Sequence, residues 1–396
     1  MDRAEAADSA SARDLNRLYD QTVPEMGFRE YWHPICLARE VGARPLAVKP
    51  LGLPVALVRR NGKLFAVADE CPHRGTPLSL GRHVFPGTNT ITCCYHGFTY
   101  DLASGGCVGV LCDGPESPMV GKLRVRTYPV AECQGIVWIW TGEGAPVPLE
   151  EDVPFGLRSA TVVRVLRRSV YGNWRWHIEN TGNGHAFVLH RTSLYAQLRK
   201  FPGFATSCKP QLMVQGEDGE WLVDLGEIGW DADYPGLGRW PQRRKFLEGV
   251  MRDKFTPILG IRTQASLRLP CVTRVTHFPI NDSLYYEWYV QTDPDHYLYF
   301  QISCGYGRSL AERAWFLARY YAWGRAVGLL DFNGQDTMVV GRSHDFVKRH
   351  GRWNPPSRLC RTDGFQLAWR EYALKRARGL APGAAAESNG AAGVAG

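Results

Sequence analysis

The sequence lacks any apolar run that approaches the roughly 18 residues a helix needs to cross a bilayer, so no membrane-spanning segment is predicted. Residues 1–5 are polar and acidic, without the apolar stretch of a secretory signal peptide. The 11 cysteines are odd in number and lack the spacing of a disulfide framework. These absences predict a cytoplasmic protein whose thiols are reduced.

The sequence also lacks a basic stripe interleaved with aromatic residues, because its net charge of +8 is spread along the chain. Nucleic acid is therefore not expected as a partner. Internal repeats are missing too. With 44% apolar and 22% charged residues, a chain of 396 residues has the composition of an ordinary globular protein of one or two domains.

Two cysteines and two histidines stand out between residues 71 and 96. They read C-x-H at Cys71 and His73 and, after nineteen intervening residues, C-x-x-H at Cys93 and His96. Two thiolates and two imidazoles can hold a tetrahedral zinc ion or a Rieske [2Fe–2S] cluster, in which two histidines replace two cysteines on one iron. Cys94 and His96 repeat the first spacing, so spacing alone leaves both Cys93 and Cys94 open.

The residues around these four favour the cluster, because they predict β-strands. Residues 55–59 and 63–67 form a predicted hairpin whose turn is Asn61-Gly62, the signal of a type I′ turn. Residues 90–92 and 98–100 are predicted strands on either side of the second pair. Both pairs are therefore expected on loops between strands, whereas a zinc finger usually places its histidines on a helix.

The segments CPHRG at 71–75 and CCYHG at 93–97 resemble the Rieske motif of the Rieske non-haem iron oxygenases. In that family the second half is C-x-x-H, so the resemblance implies that Cys93 is the ligand and Cys94 a spacer. It also implies an α+β protein. An all-β Rieske [2Fe–2S] domain would precede a helix-grip-like catalytic domain, in which an antiparallel sheet packs against helices.

A stretch rich in glycine, proline and acidic residues, 141–154, is the best candidate for a linker between two domains. The end of the chain is rich in alanine and glycine, which predicts disorder. The expected organisation is an N-terminal helical segment at 1–30, a Rieske domain at 31–145, a catalytic domain at 146–378 and a disordered tail at 379–396.

The second domain is expected to combine strands with helices. The predicted strands are 211–214, 221–225, 268–277, 284–291 and 297–303. A long helix begins at Ser309, and Glu312 completes its capping box. Its core face is predicted from the helical spacing of Phe316, Tyr320, Trp323 and Val327. Two further helices are expected, one carrying Asp336 and one at 363–378 that buries Phe365, Trp369 and Tyr372.

A second candidate metal site begins with His185 and His190, spaced H-x4-H. On a helix the two imidazoles would lie a little over one turn apart, close enough to share a metal. A mononuclear non-haem Fe(II) oxygenase needs two histidines and one carboxylate, with open positions left on the iron. The spacing alone is a weak signal, but Rieske oxygenases carry such a pair at this distance from the Rieske motif.

The carboxylate has to come from distant sequence. The segment FNGQD at 332–336 resembles the family's helix that bears the aspartate, which implies Asp336 as the third ligand and makes Asn333 a further candidate site residue. Asp331 and Asp345 remain alternatives for the carboxylate.

The family usually carries an aspartate three residues before the first histidine ligand, where it bridges that histidine and a cluster histidine of the neighbouring subunit. Here Asn183 stands closest to that place. Asparagine can donate and accept hydrogen bonds but cannot hold a negative charge. Glu179 is an alternative source of the carboxylate. The local shift leaves the first histidine ligand open, and His177 is the only other histidine nearby.

Several segments resemble in particular the oxygenase components of the carbazole 1,9a-dioxygenases: 90–96, 127–130, 173–180, 287–290 and 333–336. The resemblance implies a terminal oxygenase that uses O₂ and electrons from a ferredoxin or an NAD(P)H-dependent reductase to hydroxylate a small aromatic or heteroaromatic substrate. It further implies a homotrimer in which the cluster of one subunit feeds the iron of the next. The similarity is patchy between 195 and 265.

Two other functions remain open. A Rieske monooxygenase, acting as a hydroxylase, demethylase or oxidative cyclase in a biosynthetic pathway, would use the same ligands. A non-enzymatic Rieske electron carrier would need only the first domain, so the remaining residues argue against it. A zinc-stabilised binding protein would be colourless, so visible and EPR spectra would decide that alternative. An acidic ferredoxin could dock at Arg239, Arg243, Arg244 and Lys245, or within 342–361.

Overall fold

The computed structural model describes residues 14–181, 185–195, 210–214, 219–224, 233–234, 236, 238–239, 265–350 and 363–380. Backbone proximity divides the chain into two compact units. The small unit consists of Arg29–Val153 and Val290–Pro294, and the large unit consists of Met1–Phe28, Pro154–Tyr289 and Asp295–Gly396. In the described residues, no helix has the length and apolar character needed to cross a membrane.

The small unit is built almost entirely from short strands. These strands are β1 (Trp32–Leu37), β2 (Leu46–Val48), β3 (Val55–Arg60), β4 (Lys63–Ala68), β5 (Thr90–Thr92), β6 (Phe98–Asp101), β7 (Cys107–Val110), β8 (Thr127–Tyr128), β9 (Val130–Cys133) and β10 (Ile136–Trp140). They form three sheets, in the orders β1-β10-β9, β2-β3-β4-β8 and β5-β6-β7. Short helical turns lie at Ala38–Glu40, Pro50–Gly52, Leu78–Leu80 and Leu149–Asp152.

The predicted hairpin is confirmed, since β3 pairs antiparallel with β4. Its turn residues, Asn61 and Gly62, have φ angles of 48° and 77°. A type I′ turn requires positive φ at both positions, and these two residue types adopt it at little cost. The hairpin presents Val58 and Val67 to a core that also contains Ile91.

The large unit contains a seven-stranded sheet made of antiparallel pairs. Its strands are β11 (Val162–Tyr171), β12 (Pro210–Val214), β13 (Glu220–Asp224), β16 (Ala265–Arg268), β17 (Val272–Thr276), β18 (Leu284–Asp293) and β19 (His296–Gly305), in the order β11-β19-β18-β17-β16-β13-β12. A separate two-stranded ribbon pairs β14 (Asp233–Tyr234) with β15 (Gly238–Arg239).

One predicted strand is wrong. Residues 268–277 were expected to form a single strand, but the chain turns at residues 269–271 and forms β16 and β17 on either side. Pro270 lies in that turn. Because proline has no backbone N–H to give to a ladder, it interrupts the sheet where the apolar alternation alone suggested continuity.

Helices complete the large unit. They are a helix at 14–22, Phe155–Arg158, Trp174–Asn180, Ala186–Leu189, His190–Thr192, Leu310–Arg319, Tyr320–Phe332, Asn333–His350 and Gly364–Arg376. The helix Asn333–His350 is called the ligand helix below, because it carries Asp336. The helix Gly364–Arg376 buries Phe365, Trp369 and Tyr372 as predicted.

The predicted capping box is confirmed: the Glu312 N–H donates to the Ser309 hydroxyl at 3.2 Å, and the Ser309 N–H donates to the Glu312 carboxylate at 3.1 Å. The α-helix ends at Arg319, however, and a π-helix follows at Tyr320–Phe332. Gly324 and Gly328 of this π-helix pack against Pro279, where a Cβ atom would crowd the proline. The predicted core residues still face inward, because Phe316, Tyr320 and Val327 are buried.

Candidate metal centres

The four residues of the Rieske-like motif lie on two loops of the small unit. Cys71 and His73 follow β4, and Cys93 and His96 lie between β5 and β6. Both cysteines belong to the core that the surrounding strands bury. The structure therefore has both pairs on loops between strands, as predicted.

The two loops repeat one hydrogen-bonding pattern. The N–H of Cys71 donates to the carbonyl five residues later at 2.8 Å, and so does that of Cys93, also at 2.8 Å. Gly75 and Gly97, each four residues after its cysteine, donate back to the cysteine carbonyls at 2.8 Å and 3.2 Å. Their φ angles of 69° and 70° favour glycine. The pattern aligns Cys71 with Cys93.

Burial separates the two candidate cysteines of the second loop. Cys71 and Cys93 are 2% and 3% exposed, whereas Cys94 is exposed to solvent. Burial raises the pKa of Cys93, and the adjacent Cys71 thiol raises it further. The hydroxyl of Tyr100 lies 3.3 Å from the Cys71 sulfur, within hydrogen-bonding range for sulfur. A positive group such as iron would stabilise the two neighbouring thiolates.

The two imidazoles come together beside the cysteines. The ring centroids of His73 and His96 are 4.7 Å apart, and the His73 ring stacks on Phe98 at 4.4 Å. Nδ1 of His96 is buried and has no hydrogen-bond partner among the residues that the structure describes. A buried nitrogen without a partner is costly unless a ligand uses it. Two thiols, two imidazoles and this free nitrogen fit a Rieske cluster.

The second centre lies in the large unit, where His185, His190 and Asp336 converge. One potential ligand atom from each lies within 4.8 Å of the others. Nε2 of His185 is 3.0 Å and Nε2 of His190 is 3.2 Å from Oδ1 of Asp336. Two imidazoles and one carboxylate from distant parts of the sequence form the donor set that non-haem Fe(II) oxygenases use.

Local structure explains how these side chains meet. His185 precedes the helical turn Ala186–Leu189, and His190 begins the next turn. Asp336 lies in the first turn of the ligand helix, which continues directly from the π-helix Tyr320–Phe332. Although burial opposes it, the interactions with His190 and His185 hold the pKa of Asp336 well below its usual value.

Neighbouring side chains fix two of the three donors, Asp336 and His190. The Asn180 amide donates to Oδ1 of Asp336 at 2.8 Å. Nδ1 of His190 lies 3.0 Å from Oε1 of Gln335, and Phe332 stacks on the His190 ring at 3.7 Å. Neither Asn180 nor Gln335 was predicted from the sequence to have a role at this centre. For Gln335 the available signal was a polar residue next to the predicted ligand in the first turn of a helix.

The other candidates for this centre lie elsewhere. Asp331 accepts a hydrogen bond from the Leu194 N–H at 2.7 Å, and Asp345 accepts one from the Tyr171 hydroxyl at 2.7 Å. His177 is buried in the helix Trp174–Asn180, and burial lowers its pKa to about 3, so the ring stays neutral.

Glu179, one of the two candidates for the bridge between the metal centres, is buried in an ion pair. Nε and Nη2 of Arg370 donate to its two carboxylate oxygens at 2.7 Å and 2.8 Å. The Gln366 amide also donates to it at 2.7 Å. Glu179 therefore ties the helix Trp174–Asn180 to the C-terminal helix Gly364–Arg376. Asn183, the other candidate, lies outside the described residues. Both bridge assignments stay predictions.

Glu179→Gln is expected to lower stability and leave electron transfer unchanged. The substitution removes the carboxylate that pairs with the buried Arg370 guanidinium, and breaking a buried pair typically costs about 3–5 kcal/mol. Thermal unfolding and the single-turnover rate of cluster oxidation would be measured together, with Arg370→Gln as the matched control. Equal destabilisation by both variants at an unchanged rate agrees with the ion pair. A slower rate in Glu179→Gln alone would favour the bridge.

A Rieske-type donor set and a set of two histidines and one carboxylate on one chain define the Rieske non-haem iron oxygenases. Comparison with known families agrees with this class. The chain matches the model of the homotrimeric ring hydroxylases over residues 140–381 and that of the Rieske [2Fe-2S] domain over residues 31–129.

Individual relatives are similar over most of the chain. The terminal oxygenase component of carbazole 1,9a-dioxygenase from a Sphingomonas species is 30% identical, covering 90% of this chain and 93% of the relative. The solved terminal oxygenase of carbazole 1,9a-dioxygenase from Nocardioides aromaticivorans IC177 has a TM-score of 0.78 and 28% identity, over 93% of this chain and 99% of that chain. A reduced complex between oxygenase and ferredoxin in carbazole 1,9a-dioxygenase contains a chain with a TM-score of 0.77 and 25% identity, over 94% and 95% of the two chains.

The chain therefore belongs to the homotrimeric ring hydroxylases. It is the terminal oxygenase component of a Rieske non-haem iron oxygenase, an oxidoreductase that incorporates O₂. The family, the α+β fold with an all-β Rieske domain, and the two iron cofactors are confirmed as predicted. The non-enzymatic carrier and the zinc-stabilised binding protein are excluded as alternatives.

Proposed function

We propose that this terminal oxygenase hydroxylates a small aromatic or heteroaromatic ring as part of aromatic catabolism. One observation carries the proposal: residues suited to hold two iron centres lie in a chain that is 30% identical, over most of its length, to a dioxygenase named for an aromatic heterocycle. The same ligands can also support monooxygenation, which the experiment below distinguishes.

The ligand assignments are part of the proposal. Cys71, His73, Cys93 and His96 hold the Rieske cluster, and the repeated loop geometry with the burial of Cys93 supports this choice over Cys94. His185, His190 and Asp336 hold the mononuclear iron, as their convergence within 4.8 Å supports. When bound, the cluster supplies electrons one at a time, and the iron offers open positions for O₂.

The chain's own residues prepare the second centre for its metal. Gln335 accepts a hydrogen bond from Nδ1 of His190 and so leaves the lone pair of Nε2 for iron. Asn180 holds the Asp336 carboxylate by donating a hydrogen bond to its Oδ1, and Phe332 fixes the plane of the His190 ring by stacking. These contacts hold the donors in place before the metal arrives, which reduces the conformational cost of binding it.

Partners follow from the relatives. We propose a homotrimer, in line with the family description, that receives electrons from a ferredoxin, as the related oxygenase–ferredoxin complex suggests. An NAD(P)H-dependent reductase would supply electrons to the ferredoxin or deliver them directly to the oxygenase in its place. Of the proposed docking residues, Arg342 has a side chain that is 83% exposed. Arg243, Arg244 and Lys245 lie outside the described residues. The cytoplasmic location stays a prediction.

Product analysis with ¹⁸O₂ tests the proposed reaction. The chemically reduced protein would be mixed with a panel of polycyclic, heterocyclic and N-methyl substrates. Dioxygenation places two labelled atoms in the product and monooxygenation places one. A ring product that carries ¹⁸O and depends on the intact iron site supports the proposal. Conversion of N-methyl substrates alone, with the oxygen lost in formaldehyde and no ¹⁸O in the demethylated amine, would replace it with demethylation.

A further inference from the structure

A buried acid in the large unit has no role in the assignments above. Glu287 lies on β18, and its side chain shares one face of the sheet with those of Tyr285 on the same strand and Tyr299 on β19. All three side chains are buried. Together with Asn333, the first residue of the ligand helix, they form a group called the acid–amide cluster below.

The carboxylate of Glu287 accepts hydrogen bonds from neutral donors. Oε1 receives the Tyr285 hydroxyl at 2.9 Å, the Asn333 amide at 2.9 Å and the Tyr299 hydroxyl. Oε2 receives the hydroxyl of Tyr289. Burial holds the pKa of Tyr285 and Tyr299 well above its usual value, so both hydroxyls keep their protons.

Such a group is costly for a fold to keep. Burial raises the pKa of Glu287 to about 7. In the part of the chain that the structure describes, no basic side chain hydrogen-bonds to its carboxylate. A buried carboxyl group without a cationic partner is less favourable for stability than an apolar side chain of similar size. Its presence therefore points to a function for its hydrogen bonds.

The contacts of the Asn333 amide indicate what that function is. Its Nδ2 atom lies 2.7 Å from the Tyr285 hydroxyl, 2.9 Å from Oε1 of Glu287 and 3.0 Å from the Tyr299 hydroxyl, so its two N–H groups are shared among these three acceptors. Asn333 stands where the π-helix Tyr320–Phe332 gives way to the ligand helix. Asp336 follows three residues later, nearly one helical turn away. The strands of the sheet therefore hold the start of the helix that delivers the carboxylate.

We propose that the acid–amide cluster is a positioning site for the mononuclear iron: Glu287, Tyr285 and Tyr299 fix Asn333, and through it the first turn of the ligand helix, so that Asp336 meets His185 and His190. This inference rests on the proposed assignment of Asp336 as an iron ligand. Residues outside the metal's own ligands typically change metal affinity by roughly 10–100-fold when they are replaced.

A donor–acceptor exchange tests the proposal. Asn333→Asp brings two carboxyl groups into contact and should weaken Fe(II) affinity by roughly 10–100-fold. Glu287→Gln in the same chain supplies an amide that donates to the new carboxylate, so the double variant should recover affinity to within about threefold of the wild type. Tyr289→Phe is the matched control, because its hydroxyl binds Glu287 and Thr273 but makes no hydrogen bond to Asn333 in the described structure.

Fe(II) affinity would be measured by competition with a chelator, and the electron paramagnetic resonance (EPR) signal of the nitric oxide adduct would report the geometry at the iron. Thermal midpoints show whether each variant is folded. The proposal predicts that Asn333→Asp binds iron more weakly and gives an altered adduct signal, that both recover in the double variant, and that Tyr289→Phe resembles the wild type.

Two results would overturn the proposal. In one, Asn333→Asp binds iron within about threefold of the wild type, below the range expected for such residues. In the other, the loss of iron in every variant parallels the decrease in its thermal midpoint, and the double variant shows no recovery. That is the behaviour of a purely structural cluster. Asp336→Ala, measured alongside, separates this inference from the ligand assignment: if that variant keeps its iron, the assignment itself fails.

Discussion

Asp336→Ala is expected to abolish binding of the mononuclear iron and all oxygenation, while the visible spectrum of the Rieske cluster stays unchanged. The carboxylate is the one anionic member of the convergent group and lies 3.0 Å and 3.2 Å from the two histidine nitrogens. Removing this carboxylate should weaken iron binding by more than the roughly 10–100-fold that follows from replacing residues outside the ligands. Iron analysis and product formation would be measured on the same preparation.

The other two acids considered for this role supply the controls. Asp331→Ala loses a hydrogen bond to the Leu194 backbone, and Asp345→Ala loses one to the Tyr171 hydroxyl. Both variants should keep their mononuclear iron. If either one loses the iron while Asp336→Ala retains it, the ligand assignment is wrong.

Cys93→Ser is expected to remove the Rieske cluster, and Cys94→Ser to leave it in place. Cys93 occupies the same position in its loop as Cys71, with its N–H and carbonyl bound in the same way, and its sulfur is buried. Cys94 is exposed. Because serine is a poor ligand for iron in place of a thiolate, the Cys93 variant should be nearly colourless. Visible absorption of freshly purified protein measures the difference.

The reverse result, a colourless Cys94→Ser and a coloured Cys93→Ser, would place the cluster on the C-x-H spacing instead. Loss of colour in both variants would point to general damage to the loop. The mononuclear iron serves as the internal control, since neither substitution touches His185, His190 or Asp336.

Features that depend on nearby residues were predictable from the sequence. Asn61-Gly62 specifies its turn through the backbone preferences of two residues, and Ser309 with Glu312 caps a helix through contacts within one turn. The H-x4-H pair could be recognised only beside the Rieske motif, because its spacing alone is common. Asp336 required a resemblance, since nothing local distinguishes it from Asp331.

Features that depend on tertiary packing could not be predicted. The π-helix Tyr320–Phe332 preserves an apolar face that resembles that of an ordinary helix, and its glycines face a proline distant in sequence. Asn180 and Gln335 could be recognised only in the folded chain, where they hydrogen-bond to Asp336 and His190. Glu287 alternates with tyrosines along a strand, a pattern that predicts a sheet face without indicating that the acid is buried beside a helix.

EPR spectroscopy of the reduced protein treated with nitric oxide tests most directly whether one chain holds two separate iron centres. We predict a signal from the reduced Rieske cluster and a second signal from the nitric oxide adduct of the mononuclear iron. Cys93→Ser should remove the first signal alone, and Asp336→Ala the second alone. A single signal in the wild-type protein, or the loss of both through one of these substitutions, would contradict the two-centre account.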